Sequence, residues 1–555
     1  MIPATALLTA AALAALSSPH GSGAEPRSPR VPAPRLPHSV ANISDPMSHG
    51  VVGDNLLSIN EAIQLHNRVL TSAQLSAAEL AQLGGPGQDI SWINIDASWT
   101  PTITVERDFD VILDWPHGIL IQGFNGEAIL DFSGPGIQHG FRSVSNFCSW
   151  RNLILQGGPY GIDLQQSDAS FGGTVLDNVT FDGQSQFAFQ TAGVSAGGYG
   201  RVLFDRCAFR NTPLAVRCDE SPSGRTTILA AFSTEIEAAT SGFDVRIGPG
   251  GSSIFQFDKC DFDVSGTGFR LARNPGDDRS ATFAATHLDI RGATCMDLQG
   301  EPFGPTTLAL RMLHLDATAG GTALRLGPLG ASIHGSIDDS AFAGDCPLEV
   351  GRNGLLQVAN CRFVGGNVTL GAMSVQALGL SSCRLQNAAI TTSGQAPIAG
   401  ASCAIVGGSV AGSAAAPLQL NDSYVATALG AHVSQTGARP HEHLGDLDLQ
   451  ATNATLGGSV TVQADLPPGL FAIFVLGLTL DTPLFVTPDL HVYLDLSNSV
   501  VPAGLFQLQQ GLTLPIPNDF ALLQTDWVFQ AAVLPGPGVT APLLQTPPGG
   551  RFVIR

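Results

Sequence analysis

The feature that leaves this chain the fewest folds is an internal repeat. Apolar anchors recur at Leu155, Phe181, Phe209, Ile236, Phe262, Ile290, Leu315, Phe342, Phe363, Leu385 and Ile405, with spacings of 26, 28, 27, 26, 28, 25, 27, 21, 22 and 20 residues. A period in this range means stacked supersecondary units, because one unit cannot bury its apolar face alone. Each anchor reads as the end of a short strand followed by a turn.

Other offsets keep the register. Two residues before the anchors lie Leu153, Val179, Cys207, Thr234, Cys260, Leu288, Leu313, Ser340, Cys361, Cys383 and Cys403. Two residues is the strand period, so this row shares a face with the anchors. Five before sit Trp150, Leu176, Phe204, Phe257, Leu310, Ile337, Val358 and Leu380; a third row follows the anchors as Ile162/Leu164, Phe243/Val245, Phe269/Leu271, Met296/Leu298, Leu348/Val350 and Val368/Leu370. Three short strands per repeat, each with one inward face, describe one coil of a right-handed parallel β-helix, an all-β fold whose coils stack about 4.8 Å apart. The Leu-x-x-Leu-x-Leu-x-x-Asn pattern of the rival leucine-rich repeats is absent.

Coil bends often need left-handed backbone geometry, which Asn and Gly tolerate. Asn152, Asn178 and Asn360 sit three before their anchors, with Arg206 and Lys259 in the same place; Gly157, Gly183, Gly292, Gly344 and Gly365 follow just after. Between Asn94 and Val410 this pattern resembles the pectate-lyase-like β-helix superfamily, a likeness of repeat shape that bears on fold more than on activity. The segment Leu57 to Leu65 has helical apolar spacing, with Ser58 as N-cap and Glu61 three later. It resembles the amphipathic helix that covers the first coil in that superfamily.

The domain plan follows. Residues 1–24 read as a signal peptide, with an apolar run from Ala6 to Leu16 and small residues at Ser22-Gly23-Ala24; the departure is an n-region without Lys or Arg. Residues 25–45 read as a Pro- and Arg-rich linker, 46–445 as the β-helix with its N-terminal helix, and 446–555 as a β-sandwich, from alternating runs such as Ser459 to Gln463, Leu490 to Leu494 and Trp527 to Ala531 between Pro and Gly turns. Phe520 to Ala532, running into Phe552-Val-Ile-Arg555, is similar to C-terminal domains of large secreted proteins from GC-rich bacteria. The expected location is therefore secreted or on the cell surface, with no membrane insertion after signal removal.

The formal net charge is −20. An acidic surface repels phosphate backbones, which excludes nucleic acid as a partner. No Gly-rich phosphate loop follows a strand and opens a helix, and there is no nucleophile elbow. Of nine cysteines, Cys207, Cys260, Cys361, Cys383 and Cys403 share the inward row. There they read as buried free thiols acting as small hydrophobes, since parallel Cβ vectors about 4.8 Å apart suit a disulfide poorly. The disulfide state of Cys148, Cys218, Cys295 and Cys346 is open.

The carboxylates Asp177, Asp205, Asp258 and Asp338 share the position four before the anchor. Such a column could bind Ca²⁺ or supply acid and base, and equally could satisfy backbone N–H groups at a bend. A row of charges after the anchors, Asp163, Asp244, Arg270, Asp297, Arg325 and Glu349, reads as an outward ladder of opposite signs. The candidate site is Asp219, Glu220, Arg273, Asp277, Asp278 and Arg279, on two loops that leave one coil edge, with Arg246 in the coil between. By resemblance, a pectate lyase would need acids for Ca²⁺ and an Arg to take the proton. Arg273 to Arg279 departs from the family's Arg-x-Pro-x-x-Arg by one extra residue. Asp338-Asp339 resembles the Asp pair of polygalacturonases, whose accompanying motifs are missing. His441-Glu442-His443 offers two metal ligands and no third.

Three functions fit these residues. The leading one is a non-catalytic protein binding extracellular polysaccharide or another cell-surface component. The others are a polysaccharide lyase or glycoside hydrolase with an unrecognised site on the β-helix, and a purely structural surface protein. No cofactor is expected beyond Ca²⁺.

Overall fold

The structure is a computed structural model. It describes residues 39–437 apart from 85–89, 99–100, 114–117, 145–146, 167–172, 194–198, 221–225, 248–252, 274–279, 299–305, 328–332, 352–354 and 373–377. Beyond 437 it describes residues 450–451, 457–463, 471–487, 490–494, 501–507, 512–518, 526–533, 543–545 and 551–553. The signal peptide and most of the linker, and His441-Glu442-His443, lie outside the described residues.

The chain is all-β, a parallel β-solenoid with right-handed coiling. It divides into two compact units, Met1–Gln256 with Phe262–Ala284 and Phe303–Ala309, and Phe257–Asp261 with Ala285–Pro302 and Leu310–Arg555. In the first unit, parallel pairing stacks Ile103, Leu130, Leu155, Phe181, Phe209 and Ile236 in one column. In the second it stacks Leu315, Phe342, Phe363, Leu385, Ile405 and Val425. Phe262 and Ile290 are buried too. Like sits on like: the rings of Phe181 and Phe209 are 4.9 Å apart and parallel to within 1°, and those of Phe342 and Phe363 are 5.1 Å apart at 11°. Another inward column in the first unit runs Phe141, Ile162, Phe189, Val216, Phe243 and Phe269. These fully buried side chains carry the hydrophobic driving force, about 1.5–3 kcal/mol each.

One bend repeats with little variation. The residue three before the anchor is left-handed in twelve turns: Asn152, Asn178, Arg206, Ser233, Lys259, His287, Met312, Asp339, Asn360, Ser382, Ser402 and Asp422 all have φ between 45° and 55°. The N–H of that residue reaches the next turn, as from Arg206 to the Phe232 carbonyl (2.9 Å), Asn360 to Ser381 (2.9 Å) and Ser402 to Asn421 (3.0 Å). The same carbonyls accept a second donor from their own turn. Thr234 Oγ1 donates to Phe232 (3.1 Å), Cys383 Sγ to Ser381 (3.4 Å) and Ser423 Oγ to Asn421 (2.9 Å).

This pattern corrects the reading of the cysteine row. All nine cysteines are free thiols. Those of the inward row are not merely small hydrophobes: Cys207, Cys260, Cys361, Cys383 and Cys403 each donate to the carbonyl two residues earlier, at 3.2–3.5 Å. Thr234, Ser340 and Ser423 fill the same role. Burial pushes the Cys207 thiol up to about 12, which keeps it protonated and able to donate.

Two further expectations change. Ile290 and Leu315 do not end strands but lie inside the continuous strands Ala281–Leu298 and Thr306–Leu326. Gly292 is therefore a strand residue, while Gly157, Gly183, Gly344 and Gly365 do have positive φ.

At the N-terminal end, helix Ile59–His66 carries the expected capping box, with Ser58 Oγ accepting from the Glu61 N–H and the Glu61 carboxylate accepting from the Ser58 N–H at 2.8 Å. Its Ile59, Ala62, Ile63 and Leu65 are buried, and Asn67 beyond it donates to the Val111 carbonyl (2.8 Å). From Gln450 onward the described pairing is antiparallel. One small sheet joins Gln450–Ala451, Ser459–Gln463 and Leu512–Pro515; another centres on Phe471–Thr487 with Leu490–Leu494, Val501–Gln507 and Asp526–Val533.

Candidate functional site

The residues expected to form a site sit on three neighbouring strands of the first unit, Leu214–Glu220, Ser241–Ile247 and Thr267–Arg273. Asp219 pairs in register with Arg246, and Glu220 with Ile247, which pairs with Arg273. Asp219, Glu220 and Arg273 are thus strand residues, not loop residues as expected, and Arg246 lies on the strand between them. Their backbones share one end of the sheet because the repeat is in register there. Asp277, Asp278 and Arg279 lie outside the described residues. Where side chains are described, the charges answer each other along each strand: Arg217 lies 4.0 Å from Asp219, and Arg246 lies 3.9 Å from Asp244.

Beside these residues runs a longer row. Arg142, Asp163, Gln190, Arg217, Asp244 and Arg270 stack in register over six successive turns. The expected row contained Asp163, Asp244 and Arg270; Arg142, Gln190 and Arg217 complete it. Arg142 precedes the first anchor, and Gln190 is uncharged and nine residues past its own, so neither is marked by spacing and charge together; Arg217 stands eight past its anchor, the same offset as Asp163, Asp244 and Arg270. Exposure along the row is uneven, with Arg270 exposed and Asp163 buried. Asp163 is only 6% exposed, and its carboxylate accepts from Gln165 (3.2 Å) and faces Arg142 at 3.8 Å.

All six side chains end in a planar polar group, a guanidinium, carboxylate or carboxamide. Such groups form bidentate hydrogen bonds. Four polar atoms of the row are buried. Asp163 Oδ1, Asp244 Oδ1, Arg142 Nε and Arg217 Nε have no hydrogen-bond partner within the protein. An unmet buried polar atom costs about 1–3 kcal/mol, so four in one row need an explanation.

In the second unit, Arg325 bridges Asp297 (4.0 Å) and Glu349 (2.8 Å). Beyond Glu349 the row continues in register as Thr369, Thr391 and Ala411, without charge.

An aromatic group lies at the edge of the first unit's row. His139 stacks on Tyr160 at 5.0 Å and 17°, and Tyr160 meets Phe187 at 4.3 Å and 45°. These rings spend their faces on each other, so they read as packing.

The aspartate column has side-chain partners. Asp177 and Asp205 are stacked in register. Arg151 (2.8 Å) and Arg206 both bind Asp177, and Arg206 also lies 3.8 Å from Asp205. Burial, reinforced by the charge of Asp177, raises the Asp205 carboxyl. Asp258 lies 3.2 Å from His287 Nδ1. Burial and the neighbouring Asp339 push the Asp338 carboxyl up to about 6, while Arg311 lies 3.5 Å from Asp339. Among the described residues the column is held by cationic and polar side chains. Among the described residues no group of three or more His, Cys, Asp or Glu is arranged to hold a metal ion. Nor is any described helix long and apolar enough to cross a membrane.

Comparison of the chain with protein-family models, with curated proteins and with solved structures finds no match. The fold therefore defines the class, a parallel β-solenoid with a polar row on one sheet face.

Proposed function

We propose that this chain is a secreted or surface-displayed β-solenoid that binds extracellular polysaccharide without cleaving it. The observation that carries the reading is the six-turn row Arg142, Asp163, Gln190, Arg217, Asp244 and Arg270, one planar polar group per turn on strands in register. Paired sugar hydroxyls are donors and acceptors at a spacing that planar polar groups can grip two at a time. Strands in register hold those groups more rigidly than loops would. Export follows from the N-terminal sequence, and membership of the pectate-lyase-like superfamily from the repeat shape. On this reading helix Ile59–His66 covers the first open edge of the solenoid, and the C-terminal antiparallel sheets form a sandwich.

The test is affinity electrophoresis of the mature chain through gels containing individual polysaccharides. We expect retardation by at least one, and its loss in a variant combining Asp163→Ala with Arg217→Ala, with the circular dichroism of the β-fold intact. Retardation unchanged in the double variant would refute the row as the binding surface.

A further inference from the structure

We infer that the ligand of this row is an uncharged, extended polysaccharide lying along the solenoid axis; the inference rests on the glycan-binding reading above. Direction comes from topology. The six side chains belong to six successive turns, so the row runs across the strands. Turns repeat at about 4.8 Å, so the row spans roughly 24 Å and presents one planar polar group per turn. That repeat is close to the length of one pyranose unit in an extended chain. A chain lying along the axis therefore meets one side chain per sugar, whereas a chain lying across it would meet a single turn.

The charge class comes from the order of signs. Read along the row, the groups are positive, negative, neutral, positive, negative and positive. A polyuronate carries a carboxylate on every sugar, so in register it would set like charges against Asp163 and Asp244. Two of the row's three arginines, and Arg246 beside it, already face carboxylates: Arg142 faces Asp163 at 3.8 Å, Arg217 faces Asp219 at 4.0 Å, and Arg246 faces Asp244 at 3.9 Å. Recruiting them would strand those carboxylates, and the chain's net charge of −20 adds a long-range repulsion. Neutral hydroxyls face no such conflict. They exchange hydrogen bonds with the exposed part of the row, where the Arg142 and Arg217 side chains are 38% and 37% exposed.

The experiment compares neutral probes (a soluble β-glucan, a xyloglucan and a galactomannan) with polygalacturonate and alginate, using the mature full-length chain in affinity electrophoresis. We expect retardation by a neutral polymer and none by either polyuronate. Affinity for the neutral polymer should change less than about twofold between low and ~1 M salt, because no net ion pairing is involved. Arg217→Gln, which keeps a planar polar end, should retain more of the affinity than Arg217→Ala, which we expect to lose about tenfold, the effect of one strong hydrogen-bonding group. Binding to a polyuronate that collapses with salt would overturn the charge class and leave the glycan reading standing. Retention by no polymer would overturn both.

Discussion

The turns from Leu155 to Phe342 and those from Phe342 to Ile405 share one bend and differ in nearly everything else. The earlier turns are 25–28 residues long; the later ones are 20–22. Strands before the bend shorten from seven residues, as in Thr226–Phe232, to four, as in Leu378–Ser381. Stacked Phe residues give way to Leu, Ile and Val, and from Val364 to Gly437 the only Asp, Glu, Lys or Arg residues are Arg384 and Asp422. Yet Arg206 and Ser382 adopt the same left-handed conformation at the same place. The bend is thus what the architecture requires, while strand length and surface charge are free to vary. The polar row belongs to the long turns, and Thr369, Thr391 and Ala411 replace it in the short ones. Recognition is expected where the coil has residues to spare.

The sharpest break of this contrast is cavity formation in a long turn. Phe209 is fully buried, stacked on Phe181 and 5.6 Å from Phe204. Phe209→Ala should cost about 3–5 kcal/mol. In a solenoid, stability is nearly a sum over neighbouring repeats, so the loss should be local. Hydrogen exchange followed by mass spectrometry should show deprotection of residues 174–237 well beyond that of 378–425. Equal deprotection of both stretches would mean that they unfold as one unit, and the contrast would lose its thermodynamic content.

A second test uses pH in the region where the turns begin to shorten. Asp338 ionises at about 6 in the fold against an ordinary 3.8, chiefly because it is buried. The native state therefore holds this proton more tightly than the unfolded chain does. Its stabilising contribution is complete below about pH 4 and is lost as pH rises through about 6, a change of order 1–3 kcal/mol. Asp338→Asn should remove that slope and be the more stable protein at neutral pH. The comparison is the difference in urea midpoint between variant and wild type at about pH 4 and about pH 7.5; no change in that difference would count against a buried, proton-holding Asp338.

A smaller effect separates the two kinds of bend. Asn178 Nδ2 donates to Asn152 Oδ1 and to Glu127 Oε1, both at 3.1 Å. Asn178→Ala loses those bonds and places Ala in left-handed geometry, at about 1–2 kcal/mol. Ser382→Gly, at the same bend in a short turn, only relieves strain and should stabilise by up to about 1 kcal/mol. Thermal melting of both variants decides it: equal shifts of one sign would show that the bends are not interchangeable backbones with different dressings.

Much of this fold was legible because burial imposes a period. The anchors Leu155, Phe181, Phe209 and Ile236 form a true column because every one of them must face the core. The bend was legible only where Asn happened to occupy it. Met312 and Ser382 carry no local sign of positive φ, since stacking of the coil overrides their own preference. The polar row was half visible. Asp163 and Asp244 stood out by charge, but Gln190 has none, and only the register joins it to Arg217. Of the candidate site, proximity of Asp219 to Arg246 followed from the repeat, whereas the ion pairs along each strand depend on side-chain geometry that spacing cannot carry.

The smallest expected effect tests the row that both kinds of turn share. Were Cys383 a plain hydrophobe, Cys383→Ser would bury an unmet hydroxyl at about 1–3 kcal/mol. The structure gives that hydroxyl acceptors already in place: the Ser381 carbonyl at 3.4 Å and the Val358 carbonyl at 3.3 Å from the sulfur. Ser340 and Ser423 show serine making the equivalent bond at 2.8 and 2.9 Å. Oxygen is smaller than sulfur, so some packing is lost while a stronger hydrogen bond is gained. The net for Cys383→Ser should fall below about 1 kcal/mol. Cys383→Ala removes the donor and leaves a small void, and should cost more, about 1–2 kcal/mol. The order of the urea midpoints carries the test. Wild type close to Ser and clearly above Ala supports a donor row; Ala equal to wild type, with Ser well below both, restores the hydrophobic reading.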